Sequence, residues 1–230
     1  MSEPINFFQL IAHAGRLPVE LVATWIVMAL LLLVGFAARR SLSTVPDPTV
    51  PDAGFTLRHL AEVAVEWLDD LVAQVSEVHG ARRYVPFFGS LFLLILTANF
   101  MGLIPGLTAP TNDTDLTFAL GAICFIYYLY QGFAHQGARY LLSFFGPLWW
   151  LGWFMVVIEV ADNIFRPFSL GIRLFANMFA DHHVLTLFTA LTYVLVPIAF
   201  YALGSIVCVV QALVFVILAI SYVRMAAAAH

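Results

Sequence analysis

The sequence contains no lysine: its ten basic residues are all arginine, set against fourteen acidic ones for a net charge of -4. Charged residues fill only 10% of the 230 positions, where a soluble domain carries roughly 25%. So few charges cannot wet the surface of a free-standing soluble enzyme. The same scarcity excludes a nucleic-acid-binding face, and 62% hydrophobic residues exclude intrinsic disorder. Only two cysteines occur, Cys124 and Cys208, both inside apolar runs, so they read as small packing residues rather than a disulfide or metal pair. No metal motif, phosphate loop or nucleophile elbow is present, and neither a cofactor nor a nucleotide site is expected. The first twenty residues lack a basic segment, so no cleavable signal peptide is expected. The remaining class is an all-α, polytopic membrane protein.

The intervals without charge measure the membrane segments. They are residues 21–38, 84–112, 116–138 and 140–158, and no charge falls between Asp181 and Arg224. A helix needs about 20 residues to cross a hydrocarbon core of about 30 Å. The final interval is too long for one span and holds Pro197 near its middle, which predicts a turn near residues 192–197 and a long return helix. The expected architecture is five membrane-embedded helices, the last two a long hairpin. Residues 54–79 are helical in rhythm but carry Arg58, Glu62, Glu66, Asp69, Asp70 and Glu77, which suits an amphipathic surface helix or a solvated connecting helix. Pro46, Pro48 and Pro51 mark a linker before it, and residues 105–115 a second loop. Three segments are expected: an N-terminal helix with its linker (1–53), a core (54–225) and a short tail (226–230).

Orientation follows from the arginines. Arg39, Arg40, Arg58, Arg82, Arg83, Arg139 and Arg224 share one side if the N-terminus is outside and the C-terminus cytoplasmic, leaving Arg16 outside. Arg166 and Arg173 then fall inside the membrane-embedded part.

Residues 159–181 hold the informative pattern. Glu159, Asp162, Arg166, Arg173, Asn177 and Asp181 fall within an arc of about 100° when wound at 100° per residue. A polar stripe on an apolar helix faces protein, a partner or water rather than lipid, and ionisable groups at that depth are usually functional. Structural readings stand beside this one. Glu159 or Asp162 can simply neutralise Arg166, Arg173 can snorkel, and Asn177 can hold the hairpin by an interhelical hydrogen bond. Arg166 lies nearer the start of its run and is the weaker functional candidate. Pro167 removes a helix hydrogen bond and frees a carbonyl. Asp181, His182 and His183 form either a wet helix end or a proton relay, since imidazole titrates near neutrality. Gln211 is the strongly polar side chain between Ser205 and Ser221, a natural partner for Arg173 across the hairpin or generic interhelical glue.

These groups suggest a mechanism. A fixed arginine between two acid-bearing zones repels a through-moving hydronium and favours deprotonation of a carboxylic acid brought near it. The outer zone is Asp181, His182 and His183; the inner zone is Glu159 and Asp162. The carrier carboxylate need not belong to this chain.

The run Ser169-Leu170-Gly171-Ile172-Arg173-Leu174-Phe175-Ala176-Asn177-Met178 resembles the signature of subunit a of the rotary F-type ATP synthase. Glu159 and the Arg166-Pro167 pair stand at the family spacing. Thr97-Ala98-Asn99-Phe100-Met101-Gly102-Leu103-Ile104-Pro105-Gly106 is similar to its helix ending in Asn-x-x-Gly-x-x-Pro, and Gln211-Ala212-Leu213-Val214-Phe215 to its C-terminal block. The resemblance covers residues 54–225, and the N-terminal fifty residues carry no specific match.

The resemblance implies a non-catalytic stator subunit in a bacterial inner membrane, without an ATP site of its own. It packs against a ring of c subunits and joins a peripheral stalk of subunit b within the whole complex, surrounded by lipid. Its last two helices would lie strongly tilted. Protons would use two offset half-channels to load and unload ring carboxylates, coupling their flow to rotation and ATP synthesis. Arg173 would face the ring carboxylate and separate the half-channels. Asn177 and Gln211 carry over as polar groups near it, Glu159 as an exit-path carboxylate, and Asp181 and His182 as the outer acid or histidine. One departure is Gly204, which stands where some relatives place a relay histidine or glutamate. A sodium-coupled version of the same subunit is the alternative. A secondary transporter with its own midplane site would show a repeat of the polar hairpin in residues 1–110, and none is seen.

Overall fold

The computed structural model describes residues 18–43, 56–76, 81–104, 107–137, 152–191 and 195–228. Among them lie six α-helices and no strand: α1 (Val19–Ser43), α2 (Leu57–Ser76), α3 (Val85–Gly102), α4 (Thr114–Gln136), α5 (Gly152–Leu191) and α6 (Leu195–Ala228). The expected proline linker, Arg16, Glu77, Pro105, Gly106, Arg139 and the first part of the expected span at 140–158 lie outside the described residues. Helices α1, α3, α4 and α6 are long and apolar enough to cross a membrane. The count of four, where five embedded helices were expected, has a plain cause: α5 is the longest helix but carries charges through its middle.

The chain divides into two compact units, Met1–Pro110 and Thr111–His230. In the first, α1 buries Ala23 and Val27 and leaves Trp25, Leu32, Leu33 and Phe36 exposed, as a helix meeting lipid on most of its surface would. Glu20 in its first turn and Arg40 in its last complement the helix dipole. The helix expected over 54–79, as a surface or connecting helix, appears as α2. Its Trp67 ring lies 5.4 Å from that of Phe92 on α3. Pro86 sits in the first turn of α3, where a missing N–H costs nothing. At the other end of α3, a Cβ on Gly102 would stand 2.5 Å from the Ala109 Cβ, so only glycine lets the following loop fold back this closely.

The second unit is built from α4, α5 and α6. Asp113 caps α4, its carboxylate accepting from the Asp115 N–H at 3.4 Å. Gly137 ends α4 at φ 57°, a left-handed conformation that glycine adopts without strain. Thr117, Leu120, Gly121, Cys124, Tyr128 and Gln131 form the buried stripe of α4, at the three- and four-residue steps of a single helix face.

Helices α5 and α6 pack against each other as an antiparallel hairpin. Phe188 stacks on Phe200 at 4.4 Å, Asn177 hydrogen-bonds Gln211, and the Arg166 guanidinium sits 5.5 Å from the Tyr222 ring centre. These contacts recur every three helical turns on both helices, in opposite directions. Helix α5 ends at Leu191 and α6 begins at Leu195; residues 192–194 of the expected turn lie outside the described residues, and Pro197 occupies the first turn of α6. At 1.5 Å per residue, the 40 residues of α5 span about 60 Å, twice the hydrocarbon thickness of about 30 Å. A helix of that length stays near the bilayer only if steeply inclined or if it extends well beyond it.

Candidate functional site

All six residues of the predicted stripe lie on α5, and the structure sorts them into levels along the hairpin. At the first level, Asp162 accepts a hydrogen bond from Arg166 within an ion pair. The Tyr128 hydroxyl of α4 accepts from Arg166 Nη1 at 3.3 Å and donates to Asn163 Oδ1. Asn163 Nδ2 donates in turn to the Glu159 carbonyl at 2.8 Å. The Arg166 guanidinium also lies 5.8 Å from the Tyr128 ring centre, within cation–π range, as it does for Tyr222. Arg166 therefore ties α4, α5 and α6 together, which agrees with the reading that Asp162 neutralises it structurally. Beside it, Cys124, Pro167 and Leu170 help enclose a cavity of about 10 Å³, roughly the size that admits one water.

At the next level α4 and α5 touch backbone to backbone. A Cβ on Gly121 would stand 2.6 Å from the Pro167 carbonyl oxygen, and a Cβ on Gly171 would stand 3.2 Å from the Thr117 carbonyl oxygen. Two glycines, one on each helix, set this crossing. It turns Leu170, Leu174 and Met178 into the packed side of the unit and leaves Arg173 exposed. Arg173 makes no hydrogen bond or ion pair among the described residues. Ser169, Ala176 and Ala180 are exposed with it and make one flank of the guanidinium small, while Ile172 and Asn177 are exposed beside it too.

One turn farther, Asn177 Nδ2 donates to Gln211 Oε1. Gln211 is 3% exposed and its Nε2 has no partner among the described residues. The expected pairing of Gln211 with Arg173 is thus replaced by pairing with Asn177, because the hairpin register aligns those two positions. Beyond them, Asp181 is half-buried, and His182 and His183 are exposed. His183 Nδ1 lies 2.9 Å from the Phe179 carbonyl oxygen, and its ring centre 4.0 Å from that of Phe179. The register places buried Gly204 of α6 opposite residues 183–184. Along the axis, Glu159 stands about 21 Å from Arg173 and Asp181 about 12 Å on the other side.

Tyr128, Asn163 and Tyr222 were not singled out from the sequence. Asn163 is adjacent to the charged stripe, and Tyr128 falls on the α4 stripe of Thr117, Cys124 and Gln131. That periodicity is the signal that could have found it. Both cysteines are buried and free, as their apolar runs suggested. Among the described residues, no cluster of His, Cys, Asp and Glu could hold a metal ion.

Comparison with known proteins extends the likeness along the chain. The profile of the ATP synthase A chain family matches residues 21–224. The chain is 39% identical to the ATP synthase subunit a of Bdellovibrio bacteriovorus over 97% of both sequences. It is 36% identical to that of Trichlorobacter lovleyi over 88% of this chain and 84% of the relative, and 32% identical to that of Geobacter sulfurreducens over 97% of both. The match therefore takes in α1, which motif spacing did not reach because that helix is almost uniformly apolar. The chain belongs to the ATP synthase A chain family, as a multi-pass membrane protein.

Proposed function

We propose that this chain is the stator ion-path subunit of a bacterial F-type ATP synthase, with residues 54–225 as its core and 1–53 as an N-terminal transmembrane helix and linker. Protons reach a ring of c subunits by one aqueous half-channel, ride on ring carboxylates, and leave by a second. Arg173 attracts each ionised carboxylate as it passes and keeps the half-channels apart. The observation that carries this reading is the state of Arg173: an exposed guanidinium in mid-helix with no ion-pair partner among the described residues, flanked on one side by the small side chains of Ser169, Ala176 and Ala180, which let another helix approach. An intramembrane cation needs a counter-charge, and here a partner has to bring it.

The two zones flanking Arg173 serve as the approaches. Asp181, His182 and His183 form the outer one. With Gly204 opposite them on α6, the relay chemistry rests on α5. Asn177 and Gln211 stand between that cluster and Arg173. Glu159 and Asp162 form the inner zone, with Asp162 engaged by Arg166. The histidines favour protons over sodium. The c ring and a peripheral stalk of subunit b are the partners, and the arginine distribution places the N-terminus outside and the C-terminus in the cytoplasm. Each elementary charge carried across is worth about 2.3 kcal/mol per 100 mV, which is the energy that drives rotation.

The test is Arg173→Ala in the intact complex, assayed in inverted vesicles without added sodium. ATP-driven acidification is expected to vanish while the ring remains able to leak protons. Full pumping by the variant would sink the role of Arg173, and pumping that requires sodium would reassign the ion.

A further inference from the structure

The first unit contains a cleft of about 890 Å³ far from the stripe in sequence. Its walls come from the end of α1, one face of α2 and the first turns of α3. Two markers place it at the edge of the hydrocarbon. The apolar run of α1 ends at Arg39, and that of α3 begins just after Arg82 and Arg83; Arg39 and Arg82 both line the cleft. From Val85 to Leu93 the α3 wall descends about 12 Å into the apolar region. The cleft thus has a charged mouth and an apolar floor, the shape an amphiphile fills.

The charges at the mouth narrow its identity. Asp69 accepts from Arg82 Nε at 3.0 Å, and Glu62 is paired with Arg58 at 2.6 Å. Arg39 and Glu66 also line the cleft. Both are exposed, and neither takes part in an ion pair among the described residues. One unmatched cation and one unmatched carboxylate correspond to a headgroup carrying both a phosphate and an ammonium. The carboxylates on the lining, Glu62, Glu66 and Asp69, outnumber its arginines, which disfavours a purely anionic lipid.

We propose that this cleft binds one phospholipid with an ethanolamine-type headgroup, its phosphate at Arg39, its ammonium at Glu66 and an acyl chain along α3. A primary ammonium can donate charge-assisted hydrogen bonds to Glu66, which a quaternary choline cannot.

The experiment uses the intact complex, delipidated and then equilibrated with vesicles of equimolar dioleoyl phosphatidylethanolamine, phosphatidylcholine and phosphatidylglycerol. Native mass spectrometry counts the retained lipid. Wild type is expected to keep one phosphatidylethanolamine per copy of this chain. Glu66→Gln and Arg39→Gln should each lower that occupancy affinity by about tenfold, the cost of one charged hydrogen bond. Ser90→Phe, which narrows the exposed α3 wall without touching the charges, should abolish retention of any lipid there. Equal retention of phosphatidylethanolamine by wild type and all three variants overturns the proposal. So does retention indifferent to headgroup, a preference for phosphatidylglycerol, or a density map of the complex with a polypeptide helix seated in the cleft.

Discussion

Gly121→Ala perturbs the α4–α5 crossing without touching any charged residue of the stripe. The added Cβ would stand 2.6 Å from the Pro167 carbonyl oxygen and 3.6 Å from the Gly171 amide nitrogen. Ordinary contact begins near 3.5 Å, so α4 and α5 must part by roughly 0.9 Å. The obstructing Pro167 oxygen belongs to the backbone, and a rotamer change cannot relieve it. Overpacking of this kind costs about 1–3 kcal/mol, while the helix preference of alanine over glycine returns up to about 1 kcal/mol. The stability change is therefore small, and the complex should assemble. The functional change should be larger. Arg173 follows Gly171 by two residues and moves with it, and a displacement of about 1 Å at a reacting group can cost on the order of 10²-fold in rate.

The assay is ATP-driven acidification of inverted vesicles, normalised to assembled complex. Gly121→Ala should pump several-fold more slowly than wild type, and Gly121→Val more slowly still. Gly35→Ala is the control, because a Cβ there meets nothing within 4 Å. It should pump normally. If both Gly121 variants match Gly35→Ala per assembled complex, the crossing does not position Arg173.

Two further outcomes follow from the side-chain networks. Tyr128→Phe removes the hydroxyl that accepts from Arg166 and donates to Asn163, whose side chain is 4% exposed. Interhelical hydrogen bonds in membranes are worth about 0.6 kcal/mol on average and up to about 1.7, so heat inactivation of the complex should begin at a lower temperature while proton specificity is retained. Asp181→Asn combined with His182→Ala should slow passive proton flux through the membrane sector, measured as potential-driven uptake after removal of the catalytic head; unchanged flux would remove that cluster from the path.

Helix positions were legible because the chain spends its charges so sparingly. An interval without charge measures a helix that must satisfy its own backbone, and the boundaries at residues 43 and 136 fall near the ends of such intervals, while α3 stops at Gly102, ahead of the loop expected over 105–115. The stripe was legible for the same reason, since six polar groups on one arc stand out against an apolar chain. Pairings were harder. Polarity alone offered Gln211 either as a partner for Arg173 or as interhelical glue, and it is the second, through Asn177, that the structure shows; a shift of one turn, about 5.4 Å, separates the two partners. Which of the two it meets depends on the register of two long helices, decided by contacts such as Phe188 on Phe200 and by the glycine crossing with α4. Tyr128 lies outside the charged stripe, on another helix, and Asn163 off its arc, although Tyr128 holds Arg166 and Asn163 holds Tyr128.

The register also explains why Arg173 is left over. Arg166 meets the Tyr222 ring and Asn177 meets Gln211, one level to each side of it. Arg173 falls between these levels, where α6 presents Ala212, Phe215 and Val216, all buried and none with a side-chain acceptor. On α4 the neighbouring positions are Thr117 and Phe118, packed tightly against Gly171. Among its described residues, the second unit thus supplies partners for Arg166 and Asn177 and none for the arginine between them. An unpaired cation in an apolar environment is costly to hold, and the fold eases that cost by leaving Arg173 exposed, where the proposed ring carboxylate would meet it.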